Sequence, residues 1–211
     1  MASEDAIRFE EEVGVPPDRA FALFVGGLGG WWPPEYTWAG ECLESVAIEP
    51  YEGGRCYERG PHGFQCDWGR VVAWDPPKRL VLTWQIGADR RPQPDPSQAG
   101  EVEVTFTRAK DDATKVELEH RGFATVEDGD AYRGSLGSAE GWPYLLGRYA
   151  SMVAGAGEYV PIASDAESAS RADGRLSDRG GRGTGRAREP GHLSTDELVQ
   201  MVERASRRVR E

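Results

Sequence analysis

Residues 68–84 read Trp68-Gly69-Arg70-Val71-Val72-Ala73-Trp74-Asp75-Pro76-Pro77-Lys78-Arg79-Leu80-Val81-Leu82-Thr83-Trp84, two runs rich in β-branched and aromatic residues joined by Asp-Pro-Pro-Lys. Such runs favour extended backbone, and the prolines fix φ and withhold N–H donors, so the segment reads as two strands with a tight connection. Gly69, inside the first run, marks a bend or bulge of the kind a sheet needs in order to curl. Outward from this hairpin the same signature repeats. Strand-like runs span residues 7–14, 42–49, 54–59, 64–74, 79–87, 101–108 and 115–121, and turn-forming stretches such as PYEGG, GPHG and KDDAT separate the last six. Short connections between consecutive strands predict an antiparallel meander.

Two helical patterns bracket the meander. After the first strand, Pro17 and Asp18 suit a first helical turn, and Ala20, Phe21, Leu23 and Phe24 form an apolar face that Gly26-Gly27 ends. After the last strand, Tyr132, Leu136, Trp142, Leu145, Leu146, Tyr149, Met152 and Val153 recur near helical spacing and, most clearly over residues 139–153, predict a long amphipathic helix. Pro143 either kinks that helix or lies in its first turn, which leaves residues 129–138 as a separate irregular or helical piece. Residues 26–40, rich in Gly and Pro, carry Trp31, Trp32, Tyr36 and Trp38 and read as a loop with something to cover. Within it, Gly26 to Gly30 lacks the Lys-Ser/Thr ending of a phosphate-binding loop and reads as a flexible gate. The class is α+β: a curved antiparallel sheet wrapped around a long C-terminal helix.

At 211 residues the chain can furnish one sizeable core. The domain is predicted over residues 1–160. Residues 161–192, almost devoid of apolar side chains, read as a disordered Gly/Arg/Ser-rich linker. Residues 193–211 read as a short amphipathic tail helix, with a capping box at Ser194-Thr195-Asp196-Glu197 and a stripe of Leu198, Val202, Ala205 and Val209. Such a helix either has no task or docks into a groove of its own domain, a second copy or a protein partner.

The net charge of −11 belongs to the body, because ten Arg balance nine Asp and Glu from Ser164 onward. An acidic body repels phosphates and anionic headgroups, so neither nucleic acid nor a membrane is an expected partner. No apolar run is long enough for a membrane span and the N-terminus lacks a secretion pattern, which predicts a cytoplasmic protein. Cys42, Cys56 and Cys66 are odd in number and without CxxC spacing, so free thiols are expected and no zinc site. Cys56 and Cys66 nonetheless flank Gly60-Pro61-His62-Gly63 almost symmetrically and could face each other across a hairpin.

Several words of the sequence go together: Glu49-Pro50-Tyr51-Glu52-Gly53-Gly54-Arg55, residues 68–80 with Leu82-Thr83-Trp84, Leu118-Glu119-His120-Arg121-Gly122-Phe123, and Gly141-Trp142 ahead of Leu145. In this order they resemble the bacterial proteins named after the activator of the ninety-kilodalton heat-shock protein's ATPase, a branch of the START-like, or SRPBCC, superfamily. The resemblance implies the helix-grip fold, with an internal cavity between sheet and long helix. If Trp84 faces that cavity, Leu80, Leu82 and Ile86 do so too by strand alternation, with Val104, Phe106, Leu118 and His120 on neighbouring strands. Trp142, Leu145 and Tyr149 would close it from the helix, and Trp31 and Trp32 from the loop. The same side chains would also serve as a solid core.

Three functions follow as expectations. The first is non-catalytic binding of a small hydrophobic or aromatic ligand, without cofactor or metal, since no catalytic word such as GxSxG or HExxH occurs. The second, implied by the family's name, is a co-chaperone-like module docking on a heat-shock ATPase. The third is a cyclase- or hydratase-type enzyme with His120 as base and Tyr149 or Arg70 orienting it. Glu101, Glu103, Glu117 and Glu119 alternate with apolar residues and read as a solvated strand face.

Overall fold

The computed structural model describes residues 5–157. The predicted linker over residues 161–192 and tail helix over 193–211 lie outside the described residues. Seven strands form one antiparallel sheet: β1 (Ala6–Val13), β2 (Ser45–Ile48), β3 (Arg55–Arg59), β4 (Gln65–Asp75), β5 (Arg79–Trp84), β6 (Gly100–Arg108) and β7 (Thr114–Arg121). Their order is β1-β7-β6-β5-β4-β3-β2, so the last six run as a meander and the first returns beside the last. The helices are α1 (Pro17–Gly26), α2 (Leu28–Trp31), α3 (Gly129–Gly137) and α4 (Trp142–Gly157). α4 packs on β1, α1, α2 and α3, closing the helix-grip arrangement expected from the sequence.

The sheet curls where the hairpin sequence predicts it. Between β3 and β4 the register slips: Cys56 opposes Gly69 and Tyr57 opposes Asp67, so Trp68 is the extra residue of a bulge. A side chain at Gly69 would meet the Thr83 carbonyl oxygen at 2.4 Å, and the backbones close up only because none is there. A second slip between β4 and β5 leaves Val72 unpaired and 46% exposed, an apolar residue turned outward by the bulge. The register set by the β3–β4 turn decides the cysteines. Cys66 stands opposite Glu58 and Cys56 opposite Gly69, so the two do not face each other; all three thiols are free. Burial pushes the Cys56 thiol well above its ordinary range and that of Cys66 up to about 11.

The glycine-rich segment corrects the loop reading. After Gly27, α2 forms a helical turn, and Trp31 is fully buried with its indole Nε1 donating to the Phe24 carbonyl at 3.1 Å. Arg148 of α4 donates to the Trp31 carbonyl at 2.8 Å, so Leu28, Trp31 and Trp32 anchor this stretch in the core in place of the expected gate, while Gly29 and Gly30 are exposed. Pro143 occupies the first turn of α4, and α3 makes residues 129–137 helical. A side chain at Gly141 would lie 2.1 Å from the Leu136 carbonyl oxygen, which sets how tightly α3 turns into α4.

Candidate functional site

Two groups of aromatic side chains fill the concave face. Under α1 and the middle of α4, the Phe21 ring packs edge-on against Trp74 and Phe106, and Phe24 lies edge-on to Phe106 and Tyr149 and tilted against Trp31. Toward the other end, Trp32 stacks on Trp68 at 5.9 Å, and Trp84 lies against Trp32, Trp68, His120 and Trp142. Eight of the eleven residues expected to line a cavity are therefore core: Trp31, Leu82, Val104, Phe106, Leu118, His120, Trp142 and Tyr149 are buried, and none lies on the cavity wall. Tyr149 spends its hydroxyl on the Ala20 carbonyl at 2.9 Å, and burial raises its pKa beyond the ordinary tyrosine range.

His120 belongs to this packed interior. Its ring is 1% exposed, between Trp84, Phe123 and Trp142, and its Nδ1 accepts a hydrogen bond from the Trp142 indole at 3.1 Å. An indole can only donate, so Nδ1 carries no proton and the neutral tautomer is protonated at Nε2. Burial lowers its pKa to about 3, so the imidazole is uncharged near neutrality. Arg70, offered as an orienting group, is paired with Asp67 at 2.9 Å instead. The strand glutamates form the outer face as expected: Glu103 and Glu119 pair with Arg79, Arg121 and Arg8, and Glu101 pairs with Arg121.

The open space lies at one end of the grip. A cavity of about 100 Å³ opens where the end of β5, α3, the start of α4 and the segment after α2 meet. Its buried floor is made by Trp32, Trp84, Tyr132 and Leu145, three of which are sequence-predicted site residues. Tyr132 was not among them, yet it organises the floor. Its hydroxyl accepts from Trp84 Nε1 at 2.8 Å and donates to the Ile86 carbonyl at 2.9 Å, and burial pushes its pKa up to about 12.

The outer wall comes from the aromatic residues after α2. Tyr36 donates to the Glu140 carbonyl at 2.6 Å, and Trp38 Nε1 donates to the Arg90 carbonyl at 2.9 Å. Behind them Glu58, 1% exposed on β3, accepts from the Ala39 amide at 2.9 Å. Burial raises its pKa, against the lowering effect of the Ala39 and Trp38 backbone amides. The reading that this aromatic-rich stretch covers something holds. Of its partners, Tyr132 and Leu136 on α3 share the helical spacing while those in the loop after β5 carry no periodic signal, and only the fold brings them to it.

The family model for activator of Hsp90 ATPase homolog 1-like proteins matches residues 15–154. The chain belongs to this family. The fold of this AHSA1-like chain is similar to that of an anthrahydroquino-gamma-pyrone synthase, Txn09, at 31% identity, a TM-score of 0.51, and coverage of 69% of this chain and 95% of that one. It is also similar to CalC from Micromonospora echinospora, described as a self-sacrificing resistance protein, at 26% identity, a TM-score of 0.50, and coverage of 71% and 94%. The protein NE0264 from Nitrosomonas europaea shares the fold at 15% identity and a TM-score of 0.53, covering 75% of this chain and 100% of its own. Among curated proteins none matches the chain. No described helix is long and apolar enough to cross a membrane.

Proposed function

We propose that this AHSA1-like domain binds a small aromatic molecule, without chemical change, in the cavity at the end of the grip. The observation that carries this reading is the wall itself: Trp32, Trp84, Tyr36 and Trp38 surround one opening, while the indole nitrogens of Trp84 and Trp38 are already satisfied within the protein. What these rings offer a visitor is their faces and edges, the geometry that receives another flat ring. An apolar cavity of about 150 Å³ suffices for benzene. The space here, about 100 Å³, takes part of one ring system while the rest lies across the exposed rim. The likeness to a synthase named for an anthrahydroquino-gamma-pyrone, a fused flat aromatic, agrees with that choice.

The enzymatic alternative has less to work with. His120 is walled off from the cavity by Trp84 and Trp142, and the Tyr132 hydroxyl is held in two hydrogen bonds. Calorimetric titration with naphthol tests the binding reading. Saturable binding that Leu136→Trp weakens by about tenfold or more, by filling the cavity, is the expected result. Absence of saturable heat with the wild-type chain would overturn it.

A further inference from the structure

We infer that the cavity selects aromatic molecules bearing an anionic group, and that Arg90 at its rim receives the anion. This deepens the binding reading above and rests on it. Arg90 is the one basic side chain among the described residues that line the cavity. Its guanidinium lies over the Tyr36 ring, 4.6 Å from the centroid, and the side chain is exposed on the solvent side.

Three features make this more than a surface arginine. First, the backbone under it is fixed: Arg90 has a left-handed φ of 60°, its N–H donates to the Gly87 carbonyl at 2.9 Å, and its own carbonyl accepts from Trp38. Second, no carboxylate among the described residues forms an ion pair with it. Asp89, next in the chain, pairs with Arg91 at 3.5 Å, and Glu140 across the rim makes its contact to Tyr36 through the backbone. Third, its charge reaches the floor, where it favours the ionised form of Tyr132 against the opposing effect of Asp89. The whole chain carries −11, and on the outer sheet face arginines pair with glutamates, so an arginine without an ion pair beside an aromatic cavity stands apart.

A guanidinium stacked on Tyr36 keeps its N–H edge free, and that edge matches a carboxylate in a planar, two-point contact. A ring seated against Trp84 and Trp32 would carry its acidic substituent outward to this edge. The stacking also holds the guanidinium in place before the ligand arrives, which lowers the ordering cost of the contact.

The test compares naphthoate with naphthamide, which share ring and shape but differ in charge, by calorimetry on the full chain at low and high salt. The expected result is that both bind and the acid binds about fivefold tighter at low salt, as suits a solvent-accessible ion pair. Arg90→Gln should abolish the difference, and Arg90→Lys should restore part of it. Equal affinities, or a preference that survives in Arg90→Gln, would overturn the assignment to Arg90 and leave the cavity reading standing. Failure of both probes to bind would remove the cavity reading and this inference with it.

Discussion

Lowering the pH should destabilise this domain through a single imidazole. His120 is neutral in the folded chain because burial holds its pKa at about 3, whereas an unfolded histidine titrates near 6.5. A base with a depressed folded pKa confers stability that is fully present above the unfolded value and lost as pH falls below it, since only the unfolded chain takes up the proton. From about pH 7.5 to about pH 5 the loss comes to roughly 2 kcal/mol, approaching about 1.4 kcal/mol per further pH unit until the folded value is reached. In urea this corresponds to a midpoint lower by about 1 M for a domain of this size. Glu49, lowered to about 2 chiefly by its bonds to Arg55, gives stability that is lost only as pH falls from 4.5 toward 2, below this window. Glu58, raised by burial, acts in the opposite sense and loses its contribution as pH rises through its folded value. Comparison with His120→Gln cancels both, because Gln keeps an acceptor for Trp142 but has no proton to gain. Urea midpoints of the two proteins should therefore converge as the pH drops. Parallel curves over that range would refute the argument, as would imidazole nitrogen resonances of His120 that titrate above about pH 5.

Other substitutions probe the cavity and its frame. Tyr132→Phe removes the acceptor of the buried Trp84 indole and should cost about 1–3 kcal/mol in chemical denaturation, with weaker binding of naphthol. Glu58→Leu strips the Ala39 amide of its partner; a stability loss of about 1–3 kcal/mol together with a changed Trp38 indole signal in NMR spectra is expected. Gly141→Ala places a methyl 2.1 Å from the Leu136 carbonyl oxygen and should lower stability by about 1–3 kcal/mol, read from the thermal midpoint.

What the sequence discloses and what it withholds divide along physical lines. Strand runs, turn residues and the helical period after Gly141 act over a few residues, and they place all seven strands to within a few positions. The bulges at Trp68 and Val72 are different, because a register slip depends on the partner strand. Symmetry about Gly60-Pro61-His62-Gly63 likewise puts Cys56 and Cys66 face to face, whereas the turn itself sets Cys66 opposite Glu58. The glycines from 26 to 30 mislead for a related reason: taken alone they weaken a helix, but Trp31 and Leu28, buried against α4, supply the burial that holds one turn of it.

The position of the cavity follows from side-chain volume. Strand alternation identifies inward residues correctly; Leu80, Leu82, Val102, Val104, Val116, Leu118 and His120 are all buried. It cannot say whether the rings above them leave room. Here Phe21, Phe24, Trp31 and Tyr149 fill one half of the concave face, and Trp84, Phe123 and Trp142 close around His120 in the other. Among the described residues a cavity survives where the sheet runs out past Trp84 and the cover passes from α4 to α3 and residues 36–38. A molecule that enters there meets groups fixed by backbone hydrogen bonds on one side and the buried floor on the other. Ligand preference should thus respond to changes at Arg90, Ser135 or Leu136 and be indifferent to conservative changes at Phe106 or Leu118, which lie in the packed core and off the wall of this cavity.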